Sequence, residues 1–271
     1  MKHLTLENLP ALLSLDQIKA YFPEQLHTME RFMLREYLQH NILNLIFTGP
    51  YAHRLVFIGG TCLRILHGNQ RFSEDLDFDL KGLELSEFEQ LANYLEKELQ
   101  LQGYQVEMRP VTKAAWHCHL KFPGLLYDYG LSGYREEKIL IQVDAEAQHL
   151  DYQTELALLN RFDWFTEVLA PPLPVLFSMK LRALFFRKRS KGRDLSDLLF
   201  LMGRQIQPEY TLLPEAVNTP DKLAQALKNQ SAEWDLKALF RDVEPFLFQP
   251  DTHQKMFPRF PQLLLQHLKT E

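Results

Sequence analysis

A chain of 271 residues, 46% apolar and 24% charged, has the composition of a folded protein large enough for one big domain or two modest ones. With 30 Lys and Arg against 35 Asp and Glu, the formal net charge is -5, which excludes a globally basic nucleic-acid coat and confines any nucleic-acid contact to a local patch. Two cysteines, Cys62 and Cys118, are too few for a disulfide framework, no apolar run is long enough for a membrane span, and residues 1–7 lack the apolar core of a secretory signal, so a cytoplasmic protein is expected.

Residues 15–46 read as helical: Leu15, Ile18, Phe22, Leu26 and Met29 recur at spacings of three and four, and Phe32, Leu34, Leu38, Ile42 and Leu45 continue the pattern. Pro23 starts or kinks a helix there, and Thr48-Gly49-Pro50 ends it. Leu55-Val56-Phe57-Ile58 is a buried strand feeding the turn Gly59-Gly60, after which Thr61 is placed to cap a short helix closed by Gly68-Asn69. Strands are expected at 76–80, 104–109, 114–122 and 138–147, with an amphipathic helix over 83–101 ended by Gly103. Beyond residue 151 the spacing predicts helices only, at 156–169, 175–186, 195–202 and in several segments between 214 and 268. The expected plan is α/β (α+β): residues 1–150 hold N-terminal helices and a mixed sheet, and residues 151–271 form a helical domain.

The chemistry is concentrated in Gly59-Gly60-Thr61-Cys62-Leu63-Arg64 and Arg71-Phe72-Ser73-Glu74-Asp75-Leu76-Asp77-Phe78. Alternation along a strand turns Asp75 and Asp77 to one face while Leu76 and Phe78 enter the core. Two carboxylates on one face repel each other unless a cation sits between them, and magnesium is bound in this style with phosphate oxygens completing its shell. Glycines ahead of a helix let backbone N–H groups approach phosphates. A lone Asp-x-Asp is usually a solvated strand face; Gly-Gly-Thr followed by Ser-x-Asp-x-Asp on the next strand is far more specific. A third carboxylate from another strand is the expected complement of two-metal phosphoryl chemistry, and Asp144 at the end of the 138–147 strand supplies it, with Glu146 of the same parity as the fallback. Asp79 adds a further acid in register with Asp75 and Asp77.

This pattern resembles the nucleotidyltransferase superfamily, and more narrowly the AbiEii/AbiGii toxin family with its MenT-like relatives. The narrower likeness rests on the two motifs above and on a later block, Lys180-Leu181-x-Ala183-Leu184-x-x-Arg187 followed by Arg193-Asp194-x-x-Asp197-Leu198. The resemblance covers roughly residues 55–200 and implies a nucleotidyltransferase-type mixed sheet flanked by helices, with the active site in a cleft between the two domains. It implies Asp75, Asp77 and Asp144 as holders of Mg2+ or Mn2+, Asp144 also helping to deprotonate the acceptor. Gly59, Gly60, Thr61 and Ser73 would bind an NTP substrate together with Lys180 and Arg187. It further implies an RNA acceptor, such as a tRNA 3′ end, and a cognate antitoxin.

The later block has its own physical reading. Lys180 and Arg187 are two helical turns apart and lie on one stripe; Asp194 and Asp197 share a face three residues apart. Residues 180–193 carry seven cations in an otherwise acidic chain. Such a run is commonly a solvated face, yet it is also what a triphosphate or an RNA backbone requires, so the basic patch 182–193 is the expected acceptor surface. Lys180 would meet nucleotide phosphate, with Asp194 or Asp197 orienting Lys180 or Arg187 or serving the acceptor. His117 and His119 share a strand face and could bind zinc, but no third ligand has motif spacing, and Cys62 reads as a buried structural thiol. The rival readings are transfer to a small molecule such as an antibiotic or to a protein, and a catalytically idle binding module.

Overall fold

The computed structural model describes residues 12–112 and 116–269. Residues 1–7 and the first two residues of the expected 114–122 strand lie outside the described residues. In chain order the elements are α1 (Leu15–Lys19), α2 (Glu30–Thr48), β1 (Leu55–Ile58), α3 (Gly59–His67), β2 (Leu76–Leu80), α4 (Leu85–Leu101), β3 (Glu107–Thr112), β4 (Trp116–Pro123), α5 (Leu125–Asp128), β5 (Lys138–Glu146), β6 (Glu155–Arg161) and β7 (Trp164–Ala170). Then follow α6 (Leu173–Phe186), α7 (Gly192–Gly203), α8 (Pro220–Gln230), α9 (Leu236–Val243), α10 (Pro250–Met256) and α11 (Phe260–His267). The chain forms two compact units. One comprises the chain up to Phe57, Glu74–Gln148 and Leu156–Leu169; the other comprises Ile58–Ser73, His149–Glu155 and the chain from Ala170 onward.

The first unit is built on a five-stranded sheet in the order β1-β2-β5-β4-β3. β2 and β5 are parallel, whereas β4 runs antiparallel to both β5 and β3, so the sheet is mixed as expected. β5 shows why it forms: in Lys-Ile-Leu-Ile-Gln-Val-Asp-Ala-Glu every second side chain (Ile139, Ile141, Val143, Ala145) is buried, leaving Gln142 and Asp144 half-exposed on the other face. α4 buries Phe88, Leu91, Ala92, Leu95 and Leu99, a stripe at three- and four-residue spacing, and packs on β3 and β4. α2 is buried nearly all round, polar Glu36, Gln39, His40 and Asn41 included, which makes it a central helix of this unit.

The segment expected as a helix at 156–169 is instead the hairpin β6–β7, and this corrects the sequence reading. Thr166, Val168 and Ala170 are buried at strand period two, and the turn residues Phe162 and Asp163 both have positive φ, 55 and 66 degrees. A left-handed phenylalanine is costly, and its surroundings offset that cost. The Phe162 ring is buried against Tyr21, Phe22, Tyr37 and His40, with the Arg161 guanidinium 4.4 Å from the Phe22 ring centre.

The second unit is helical, with no strand element after Ala170 among the described residues. α7 is its centre and contacts α3, α6, α9 and α11. Its first residue must be glycine: a Cβ on Gly192 would lie 1.8 Å from the Leu239 carbonyl oxygen of α9. Helix starts follow local chemistry: the Thr219 hydroxyl accepts from Lys222 N ahead of α8, and Asp235 accepts from Ala238 N at α9. No described helix is long and apolar enough to cross a membrane.

Candidate active site

In the first unit, β2 buries Leu76 and Phe78 and leaves Asp77 half-exposed, with Asp75 half-exposed just ahead of the strand. The parallel register sets Asp77 beside Asp144 and Asp79 beside Glu146. Neighbouring strands lie about 4.8 Å apart, so Asp77 and Asp144 bring two carboxylates onto adjacent positions of one face. Asp79 differs from the other two acids of its strand: it is buried, accepts from Gln148 N at 2.8 Å and pairs with Lys81 at 3.2 Å. Glu146 is exposed at the strand end.

Asp144 is held on both sides. The His117 ring meets Asp144 Oδ1 through Nδ1 at 2.6 Å, from the directly opposite position on antiparallel β4, and Gln142 Nε2 donates to Oδ2 at 2.8 Å. His117, weighed from sequence only as half of a histidine pair, therefore faces the carboxylates. The segment leading to Asp75 is anchored by α2: Arg35 donates to the Glu74 carboxylate at 2.8 Å and Gln39 to the Glu74 carbonyl at 2.9 Å. Spacing carried no sign of that anchoring, because α2 lies far away in sequence. Among the described residues no three metal-ligating side chains converge as a preformed cluster. Even so, hard carboxylate oxygens, half-exposed and on adjacent positions, are the donor chemistry that Mg2+ or Mn2+ takes.

In the second unit α3 begins at Gly59, and Ile58 occupies its N-cap without a side-chain bond; Thr61 does not cap the helix but lies inside it, fully buried. The two glycines are needed for different reasons. Gly59 has a φ of 81 degrees, whereas a Cβ on Gly60 would sit 2.2 Å from Arg71 Nη2 and 3.2 Å from the Ser73 hydroxyl oxygen. Free backbone N–H groups at such a helix start form a site for anions.

Arg71, to which the sequence reading gave no role, is 1% exposed and organises this unit. Its Nε and Nη2 donate to the two oxygens of Asp197 at 2.7 and 2.8 Å, a bidentate pair, and Asn69 donates to Asp197 Oδ1 at 2.7 Å. Lys180 reaches the same carboxylate at 2.7 Å and Asp194 at 3.2 Å, while Arg187 donates to the other Asp194 oxygen at 2.5 Å. The predicted quartet Lys180, Arg187, Asp194 and Asp197 is thus one network, closed by the arginine that opens the Arg71–Phe78 motif. Burial raises the Asp197 carboxyl, but the cations of Arg71 and Lys180 outweigh it and hold the group down at about 2. Burial likewise works against the Lys180 ammonium, yet Asp197 and Asp194 prevail and lift it above the ordinary amine value. Two of the three ammonium donors of Lys180 are engaged by these carboxylates.

The basic stretch divides by role. Arg182 donates to the Leu212 carbonyl at 3.1 Å and Arg193 lies over the Phe246 ring, so both are tied to the fold. Lys188, Arg189 and Lys191 are exposed on the loop between α6 and α7. Ser73 is buried, and Arg64 packs over the rings of Phe72 and Phe248. Cys62 and Cys118 are free and buried, and burial pushes the Cys118 thiol up to about 12, far from nucleophilic use.

The match to a family model makes the chain a nucleotidyltransferase. The chain belongs to the AbiEii family, nucleotidyl transferase toxins of type IV toxin–antitoxin systems, whose profile matches residues 42–266. Among solved structures it is similar to JHP933 from Helicobacter pylori, with 19% identity, a TM-score of 0.54, and coverage of 89% of this chain and 94% of that one. It is also similar to a second Helicobacter pylori structure bearing the provisional name nucleotidyltransferase, with 19% identity, a TM-score of 0.52, and coverage of 92% and 98%. At that identity the likeness concerns the fold. No curated protein matches the chain in sequence.

Proposed function

We propose that this family member transfers a nucleoside monophosphate from an NTP to the 3′ end of an RNA, a tRNA being the favoured acceptor, in the cytoplasm and under the control of an antitoxin. The observation that carries the reading is Asp77 set beside Asp144 in parallel register, with His117 and Gln142 fixing the second carboxylate. Asp75, Asp77 and Asp144 would hold Mg2+ or Mn2+, which when bound neutralises the triphosphate and polarises its α-phosphorus. Asp144 takes the proton of the acceptor hydroxyl as that oxygen bonds to the α-phosphorus, and the bond to the β-phosphate oxygen breaks to release pyrophosphate. Backbone N–H groups at Gly59 and Gly60 and the Ser73 hydroxyl receive the β- and γ-phosphates. The remaining donor of Lys180, with Arg187, meets the charge that grows on the leaving group. Asp194 and Asp197 then act by holding those two cations, because both are buried and bonded to them.

Incubation of the protein with each labelled NTP and with total RNA, protein or an aminoglycoside tests the acceptor. Label in RNA, mapped to 3′ ends by sequencing, supports the proposal; label in protein or antibiotic alone overturns it. On the third strand, Asp144→Asn is expected to remove most of the transfer, while Glu146→Gln is mild, since Glu146 sits beside the already engaged Asp79. The reverse order in initial rates would shift the assignment by two residues.

The cations separate by a different measurement. Lys180→Gln should weaken NTP binding in the presence of Mg2+ by roughly ten- to a hundredfold, the loss of one charge-assisted hydrogen bond of about 1.5–3 kcal/mol. Replacing Lys188, Arg189 and Lys191 together by Gln should leave NTP affinity alone, weaken RNA, and flatten the salt dependence of RNA affinity, because phosphate contacts release counterions. Equal and small effects in both variants, with an unchanged salt slope, would mark a merely solvated face.

A further inference from the structure

A cavity of about 420 Å³ in the helical unit lies between the basic loop and the beginning of α9, lined by Arg189, Lys191, Arg193, Trp234, Ala238 and Leu239 among others. We infer that it is a nucleotide subsite for single-stranded RNA, in which a base stacks on Trp234 and the adjoining phosphates meet Arg189 and Lys191. This rests on the RNA-acceptor reading and specifies where one nucleotide of that acceptor is held.

The walls are tied to the fold by packing and a hydrogen bond. The loop is closed onto α9 by Gly192, whose N–H donates to Asp242 Oδ2 at 3.0 Å and whose Cα sits against the Leu239 carbonyl too closely for any Cβ. Trp234 is half-buried, with tilted contacts to Phe185 and Phe260 at ring-centre distances of 6.4 and 6.1 Å that hold its indole in place. The charges then sort themselves. Of the three acids in the lining, Asp242 is engaged by Gly192 and Asp235 caps α9 through Ala238 N at 2.9 Å; Glu233 is exposed and can accept from a base amine. Arg189 and Lys191 are exposed at the rim, where a phosphate would reach them. One aromatic face, a flanking pair of cations and a volume within the range of small-ligand pockets form the combination by which proteins hold single-stranded nucleic acid.

The test uses the full chain carrying 5-fluorotryptophan. Its three tryptophans, Trp116, Trp164 and Trp234, give three fluorine resonances, and Trp234→Phe assigns the third. Titration with a single-stranded oligoadenylate of about seven nucleotides should move the Trp234 resonance along the same curve that fluorescence anisotropy gives for RNA binding. Trp234→Ala should weaken that binding roughly tenfold, with Trp234→Tyr restoring most of it, and the exposed pair Arg189→Gln/Lys191→Gln should reduce the salt slope by about 1 to 2. RNA binding with a stationary Trp234 resonance and an unaffected Trp234→Ala variant would overturn the subsite and leave the RNA acceptor standing. No RNA binding by the unaltered protein would overturn the acceptor reading and the subsite with it. If polyglutamate shifts the resonance as well as the oligonucleotide does, the cavity takes acidic chains in general and the nucleotide assignment fails.

Discussion

Asp77→Ala is expected to lower nucleotide transfer by at least about a hundredfold while the protein stays folded, since under the proposed function it removes a carboxylate that would hold the divalent ion. Asp75→Ala should behave alike. The fold should tolerate the change because Asp77 is half-exposed between the buried Leu76 and Phe78 and its neighbour across the register, Asp144, is another anion. Removing one of two facing like charges relieves repulsion, so the melting temperature without metal should be unchanged or higher. Added Mn2+ is expected to stabilise the unaltered folded protein and to leave the variant unchanged. Near-normal transfer by either variant would remove these aspartates from the site.

Asp197→Ala should have the largest effect on stability. It leaves Arg71 and Lys180 buried without the carboxylate that both of them share, and breaking such a pair costs about 3–5 kcal/mol, roughly 10 °C in melting temperature for a chain of this size. The same residue shapes the acid limb of stability. Its folded-state carboxyl is depressed to about 2, so the unfolded chain binds the proton first as the pH falls. The stability it contributes is therefore fully present above about pH 4 and is lost as the pH falls towards 2. Urea denaturation at steps across that window should show a steeper decline for the unaltered protein than for Asp197→Asn, and equal slopes would show that Asp197 does not titrate in this way.

Much of the sheet can be read from local pattern. Leu55–Ile58 is wholly apolar and β5 alternates at period two, so both are strands whatever surrounds them. The β6–β7 hairpin was hidden for two reasons. Leu156, Leu158 and Phe165 are exposed, which scatters apolar residues at helix-like spacing, and the turn at Phe162-Asp163 has no glycine to announce it. Tyr21 from the turn after α1 and Tyr37 from α2 pack on Phe162 at that turn, and no window of neighbouring residues contains them.

The same division runs through the site. Gly59-Gly60, Asp75-x-Asp77 and Lys180 stand out as candidates because each lies in a closely spaced local pattern. Which acid of β5 stands beside Asp77 depends on strand register, since Asp144 and Glu146 have the same parity and only the pairing of Leu76 with Val143 separates them. Arg71 is the clearest case. A charged residue in a sequence reads as exposed, because burying a lone cation is prohibitively costly, and its burial becomes possible only where the tertiary fold supplies Asp197 with two aligned oxygens. The sequence by itself determined which residue types were available for the chemistry and which strands could carry them, because both are set by short-range periodicity. The tertiary structure alone decided which acids face each other and which hold the cations in place, because register and paired burial join segments that no local pattern connects.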